Sequence, residues 1–239
     1  MTQARFANPV FVALDTPDLG RALAIAKSAG PYVGGLKIGL EFITANGPDG
    51  IRRIVDLGLP VFADVKFHDI PNTVAAASRE LAKLGAKLFN VHASGGERMM
   101  RDAAEAARAV DPKVTVIAVT VLTSLDDAVL ESAGQRGPAA EQVLRLARLT
   151  QQAGLDGVVC SAQEIVPLRK ALGASFQLVT PGIRPVGADL QDQKRVMTPA
   201  EAHRAGSNIL VIGRPITGAA DPAAAAKAIA DELAGESVT

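Results

Sequence analysis

Short apolar runs alternate with longer amphipathic stretches from one end of this chain to the other, and that alternation limits the folds open to it. The runs lie at 10–14, 35–38, 61–65, 88–91, 114–119, 157–159, 177–179 and 209–212. Each is brief, mostly rich in Val, Ile, Leu or Phe, and poor in polar alternation, as expected of strands buried on both faces of a parallel sheet. Helical candidates fill the intervals at 19–28, 51–57, 73–84, 97–109, 139–153, 162–172, 199–205 and 223–233. Asp18 and Ser161 stand before two of them, and Thr198-Pro199-Ala-Glu201 opens another with proline in its first turn. Gly30, Gly58, Gly85, Gly154, Gly173 and Gly206 follow helices, where a left-handed cap suits glycine.

Eight strand–helix units joined by right-handed crossovers close naturally into a barrel. An open doubly wound sheet is the alternative, but it needs a glycine fingerprint after the first strand, and Leu14-Asp15-Thr16-Pro17 is not one. The length of 239 residues suits a barrel of about 250. The expectation is an α/β chain forming a single (β/α)8 TIM barrel over residues 1–239.

Composition narrows the function classes. Lys+Arg and Asp+Glu both number 25, so the formal net charge is zero and no broad basic face for nucleic acid is implied. Cys160 is the only cysteine, which rules out an intrachain disulfide and a cysteine metal cage. The first residues lack the apolar stretch of a signal peptide, and no run approaches the roughly 18 apolar residues of a membrane span. A cytoplasmic protein is expected.

Active sites of such barrels gather at the C-terminal ends of the strands, and the unusual polar residues gather there too. They include Asp15 after the first run, Lys37 in the second, Asp64, Lys66 and Asp69 along and past the third, and His92 after the fourth. Thr120 and Thr123 follow the fifth run, Thr180-Pro-Gly the seventh and Gly213-Arg214 the eighth. Strand alternation puts Asp64 and Lys66 on one face and Val65 on the other. If that face is the interior, each charge needs a close partner. Lys37 and Asp69 would complete an alternating Lys–Asp–Lys–Asp array in which pairing favours every charged form. A plain ion-pair plug is the structural alternative, although four charges exceed what a plug needs. A lysine between carboxylates stays protonated, which suits proton donation better than Schiff-base chemistry.

A second constellation is a phosphate site formed by the loops after strands seven and eight. Thr180-Pro-Gly-Ile-Arg184-Pro supplies one side, and Ile212-Gly213-Arg214-Pro215 the other. Gly213 permits close backbone approach, and Arg214 offers a planar fork of donors. The polar segment 187–195 reads as a lid over the ligand. His68, His92 and His203 show no metal-ligand spacing and read as packing or hydrogen-bonding residues. Cys160 reads as a small buried residue and Met99-Met100 as helix packing.

The segment Asp64-Val-Lys66-Phe-His-Asp69-Ile70-Pro-Asn-Thr73 resembles the Asp-x-Lys-x-x-Asp-Ile-x-x-Thr signature of orotidine 5′-phosphate decarboxylases, in the wording of the bacterial branch. Other matching stretches occur in the family's order: Val12-Ala-Leu-Asp15, Lys37, Asn90-Val-His-Ala-Ser-Gly-Gly96, Val121-Leu-Thr123-Ser, Asp156-Gly-Val-Val-Cys-Ser-Ala, Thr180-Pro-Gly-Ile-Arg184-Pro, Asp192-Gln193 and Val211-Ile-Gly213-Arg214-Pro. Several separated motifs in order are a specific signal.

The resemblance implies conversion of orotidine 5′-monophosphate to UMP and carbon dioxide, without cofactor or metal. Lys66 would protonate C6 of the pyrimidine, within a charged array that includes Asp64 and Lys37. Asp69, with Ile70 and Thr73, would reach into the neighbouring site of a homodimer. Asp15 and Lys37 would bind the ribose, Thr123 would lie at the pyrimidine edge, and Gln193, Gly213 and Arg214 would hold the phosphate. Arg184 would support the phosphate side or the closed lid. Two rivals share the scaffold. One is a magnesium-dependent sugar-phosphate decarboxylase or synthase; the other is a non-catalytic barrel that binds a phosphate ligand.

Overall fold

The computed structural model describes residues 6–185 and 197–235. Eight parallel strands form a closed barrel in sequence order: β1 (Val10–Ala13), β2 (Gly35–Ile38), β3 (Val61–Phe67), β4 (Leu88–His92), β5 (Thr115–Val119), β6 (Gly157–Val159), β7 (Gln177–Pro181) and β8 (Ile209–Ile212). β8 pairs back onto β1, with Val10 opposite Leu210. All eight strands fall on the expected apolar runs. Around them lie α1 (Leu19–Ala29), α2 (Leu40–Val55), α3 (Pro71–Lys83), α4 (Gly96–Arg108), α5 (Asp127–Ser132), α6 (Ala139–Gln152), α7 (Ile165–Leu172), α8 (Pro199–Arg204), α9 (Arg214–Thr217) and α10 (Pro222–Gly235).

Two cores result. The larger one fills the space between strands and helices, where Val12, Leu36, Phe89 and Leu178 meet Met99, Ala103 and Leu168. The smaller one fills the barrel itself with Phe11, Phe62, Leu88, Ile117, Val179, Ile209 and Val211. Phe6 packs edge-on against Phe11 at 5.1 Å and closes the end away from the strand C-termini. Each fully buried phenylalanine contributes about 2–3 kcal/mol. Gly35 is required here, since a Cβ would lie 2.3 Å from the Phe11 ring.

The structure departs from the expected elements at four places. α2 begins at Leu40 rather than 51, and the kink at Gly47, with φ 60° and Pro48 next, hides its first half from a periodicity reading. The short α5 was not expected; Asp126 caps it by accepting from the Val129 N–H. Gly30 is not a left-handed cap: its φ is −49° and the chain continues into a 3-10 turn. The other five stop glycines do adopt positive φ. Finally, β3 runs two residues past 65 and is irregular at its end, with consequences for the site.

Candidate active site

Register places the charged residues. Lys37 lies beside Ala13 on one side and Phe62 on the other, and all three point into the barrel. The next inward positions beyond Ala13 and Phe62 are Asp15 and Asp64, so the two carboxylates flank Lys37. The Lys37 Nζ lies 2.8 Å from Asp15 Oδ1 and 3.6 Å from Asp64 Oδ2, with only 9% of its side chain exposed.

Lys66 reaches the same cluster by a different route. Between Ala63 and Phe67, β3 advances four residues while β4 advances two, from Phe89 to Val91. The extra residues form a bulge, which re-aims side chains. Lys66 sits in it with φ 51°, the only positive φ at a non-glycine position among the described residues. That conformation costs a lysine about 1–2 kcal/mol. Asp64 and Lys66 therefore share a face, as expected, but through a bulge rather than by regular alternation. Lys66 Nζ donates to Asp64 Oδ1 at 2.6 Å, and Val65 packs outward against the helices.

Asn90, quoted from sequence only within a family-matching stretch and given no role there, completes this corner. Fully buried on β4, its Oδ1 accepts from the Lys66 backbone N–H at 2.8 Å, and its Nδ2 donates to Asp64 Oδ1 at 2.7 Å. Burial alone pushes the Asp64 carboxyl up, but Lys37, Lys66 and these hydrogen bonds outweigh it and hold it below the usual range.

The alternating array is thus Asp15–Lys37–Asp64–Lys66. Asp69 is not its fourth member within this chain: it is exposed and accepts from the Ile70 N–H at 2.7 Å. Ile70 is 67% exposed and Thr73 is exposed on the first turn of α3. None of the three lines the cavity described next.

That cavity opens at the C-terminal ends of the strands and encloses about 340 Å³. Asp15, Lys37, Asp64 and Lys66 line it together with Thr123, Arg184, Gly213 and Arg214. Val119, Val159, Val179 and Val211 supply apolar wall. Arg184 is buried; its Nη1 donates to the Ile183 carbonyl, and its backbone N–H to the Met197 carbonyl. Burial and the nearby Arg214 charge both lower the Arg184 pKa from its usual value. Two guanidinium groups that repel one another across a cavity favour an anion between them. A Cβ at Gly213 would meet the protein no closer than 3.5 Å, so a methyl there would stand in ligand space. Gln193 and the expected lid segment 187–195 lie wholly within 186–196, outside the described residues.

The histidines stay outside the cavity lining. His68 and His92 stack at 5.5 Å, and His203 Nδ1 lies 3.3 Å from the Ser207 carbonyl oxygen. Cys160 is buried against Thr180; burial pushes its thiol up to about 12, and the Thr180 contact opposes that rise. No three His, Cys, Asp or Glu side chains among the described residues cluster as metal ligands. No helix among them is long and apolar enough to cross a membrane.

Known proteins resemble this chain in sequence and fold. The family model for "Orotidine 5'-phosphate decarboxylase / HUMPS family" matches residues 8–229. Curated orotidine 5′-phosphate decarboxylases from Paramagnetospirillum magneticum and Rhodospirillum rubrum are 52% and 54% identical, each over 95% of this chain, covering 98% and 95% of those proteins. The crystal structure of orotidine 5′-phosphate decarboxylase from Lactobacillus acidophilus superposes with a TM-score of 0.84 at 40% identity, covering 95% of this chain and 99% of that one. With the barrel, the charged array and these relatives in agreement, the chain belongs to the orotidine 5′-phosphate decarboxylase / HUMPS family.

Proposed function

We propose that this chain converts orotidine 5′-monophosphate to UMP and carbon dioxide, the last step of de novo pyrimidine biosynthesis, by direct decarboxylation with Lys66 as the proton donor. The observation that carries the reading is the Lys66–Asp64 contact of 2.6 Å in a cavity that also holds Arg184 and Arg214. The relatives named above act on this substrate by name, and the matching extends over nearly the whole chain.

The chemistry fits those groups. The bond from C6 to the carboxylate breaks, and its electron pair stays at C6 in the ring plane, where delocalisation into the pyrimidine is poor. An ammonium fixed beside that carbon stabilises the developing charge and then delivers its proton there. Asp64 accepts from the Lys66 ammonium, aims it and, as an anion, would also crowd the substrate carboxylate. Asp15 and Lys37 are assigned to the ribose, and Thr123 to the pyrimidine edge. Arg184, Gly213 and Arg214 take the phosphate, with Gln193 assigned to it by resemblance. Phosphate contacts far from C6 would contribute binding energy to the transition state.

The working unit in this reading is a cytoplasmic homodimer. Asp69, Ile70 and Thr73 stand exposed outside their own cavity, as suits residues that serve the neighbouring subunit's site. Substitution Lys66→Ala tests the donor assignment. Turnover should fall by orders of magnitude while UMP binding remains measurable; turnover left largely intact would show that the donor is another group.

A further inference from the structure

Lys66 holds a backbone conformation that a lysine does not favour, at the point where β3 leaves regular pairing with β4. A bulge there frees the Lys66 N–H from the strand ladder, and a buried amide needs a partner. Asn90 supplies it at 2.8 Å. Any short acceptor would satisfy that amide. The second arm is what sets asparagine apart, since its Nδ2 donates to the same Asp64 oxygen, Oδ1, that receives the Lys66 ammonium. One planar group thus grips the backbone of the lysine and the carboxylate that aims its side chain. Aspartate lacks the donor, glutamine is longer by a methylene, and an apolar residue offers neither contact.

We propose that Asn90 is a positioning residue for the reaction: its carboxamide holds Lys66 in the left-handed bulge and fixes Asp64 where it receives the ammonium. This rests on Lys66 being the proton donor. Asn90 lines no part of the cavity and would touch no substrate atom. Its action runs through the two residues it holds. A small displacement of the ammonium from C6 is enough to slow proton delivery, because rate depends steeply on the placement of reacting groups.

Asn90→Asp is nearly isosteric and separates positioning from packing. Ionised, it retains an acceptor for the Lys66 N–H but sets a carboxylate against Asp64. Protonated, it regains a donor, and two carboxyls in contact share a proton with a raised apparent pKa. The ionisable groups nearest in this network are Asp64, Lys66 and, through Asp64, Lys37; His92 lies two positions along the same strand. The variant should therefore lose about 10- to 100-fold in kcat at pH 8. Part of that loss should return as the pH falls, a limb absent from the unsubstituted enzyme. The dissociation constant for UMP should stay within about threefold, a change of less than 1 kcal/mol. Asn90→Ala should lose kcat at every pH without that recovery.

Hydrogen exchange on the unsubstituted protein provides a test that no variant's folding can spoil. The Lys66 amide should exchange as slowly as the flanking β3 amides, and exchange at the rate of an exposed loop would overturn the proposal. So would an Asn90→Asp enzyme with the kcat and pH profile of its parent. Lys66→Ala, assayed alongside, separates the two ideas. If it retains turnover, the donor reading fails; if it is inactive while both Asn90 variants match the parent, only the positioning role fails.

Discussion

Asp64 and Lys66 are two residues apart in the chain, yet their charged ends meet at 2.6 Å because β3 bulges between them. The same carboxylate lies 3.6 Å from Lys37, so a single anion separates two ammonium groups. Asp64→Asn keeps the shape and removes that anion. The expected result is a loss of about 100-fold or more in kcat, on the scale of removing one electrostatic group from a water-poor site. Stability should fall by about 1–3 kcal/mol, less than for a fully buried pair because Lys66 is partly exposed. Steady-state kinetics and urea denaturation measure the two effects.

The pH dependence of stability follows from Asp64 and His92. Asp64 is depressed, so its contribution is complete above the unfolded carboxyl value of about 3.9 and is lost as pH falls through the lower folded value. His92 is also depressed, by burial first and then by the neighbouring His68 and Lys66 charges, with Asp64 opposing. Its neutral form is the one the fold prefers, so its contribution is complete above about pH 6.5 and is lost below it as the unfolded chain takes up a proton. Melting temperature should therefore decline between pH 7 and pH 5. His92→Gln should flatten that decline while leaving the steeper loss below pH 4.

Arg184 and Arg214 face one cavity with like charge, and a bound phosphate relieves their repulsion. UMP should raise the melting temperature more than uridine does. Arg184→Ala should weaken UMP binding by about 10- to 100-fold, the scale of lost hydrogen bonds to a charged group. Gly213→Ala should fold normally, since the added methyl meets Ala13 at 3.5 Å and Asp15 Oδ2 at 4.0 Å, both ordinary contacts, but should weaken UMP binding by occupying ligand space. Calorimetric titration with UMP checks both.

Arg169 is the contrasting case, a charge used for architecture. Its Nη1 donates to the carbonyls of Gly173, Ala174 and Phe176, and its Nη2 to Gly206 and to Asn208 Oδ1. These contacts tie the segments leading into β7 and β8 together, at the end of the barrel away from the cavity. Arg169→Ala should destabilise the fold by about 2–3 kcal/mol through orphaned carbonyls while leaving KM and kcat close to those of the parent at 25 °C. A large KM change would show that this end of the barrel communicates with the site.

The strands were legible in sequence because a parallel barrel buries both faces, leaving apolar runs with few competing explanations. Lys37, Asp64, Lys66, Arg184, Gly213 and Arg214 were legible because polar residues at strand C-termini stand out against such runs. Asn90 was not, because nothing along the chain separates a strand asparagine that bridges two catalytic candidates from one that satisfies a neighbouring amide. Its partners lie 24 and 26 residues away. The bulge at Lys66 was hidden for a related reason: a two-residue period describes a regular strand, and the irregularity exists only in the pairing of β3 with β4. Asp69 looked like part of the array by proximity in sequence, but the chain turns outward after Phe67 and exposes it. The first half of α2 was lost to Gly47-Pro48, whose local signal says stop although a helix continues on the far side of the kink.

Incubation with orotidine 5′-monophosphate and excess EDTA, followed by loss of the orotate chromophore, is the most direct test of the central claim. The account predicts steady conversion to UMP with matching release of carbon dioxide, at a rate the chelator does not change. No loss of absorbance at high enzyme concentration, or turnover that stops with EDTA and returns with magnesium, would contradict it.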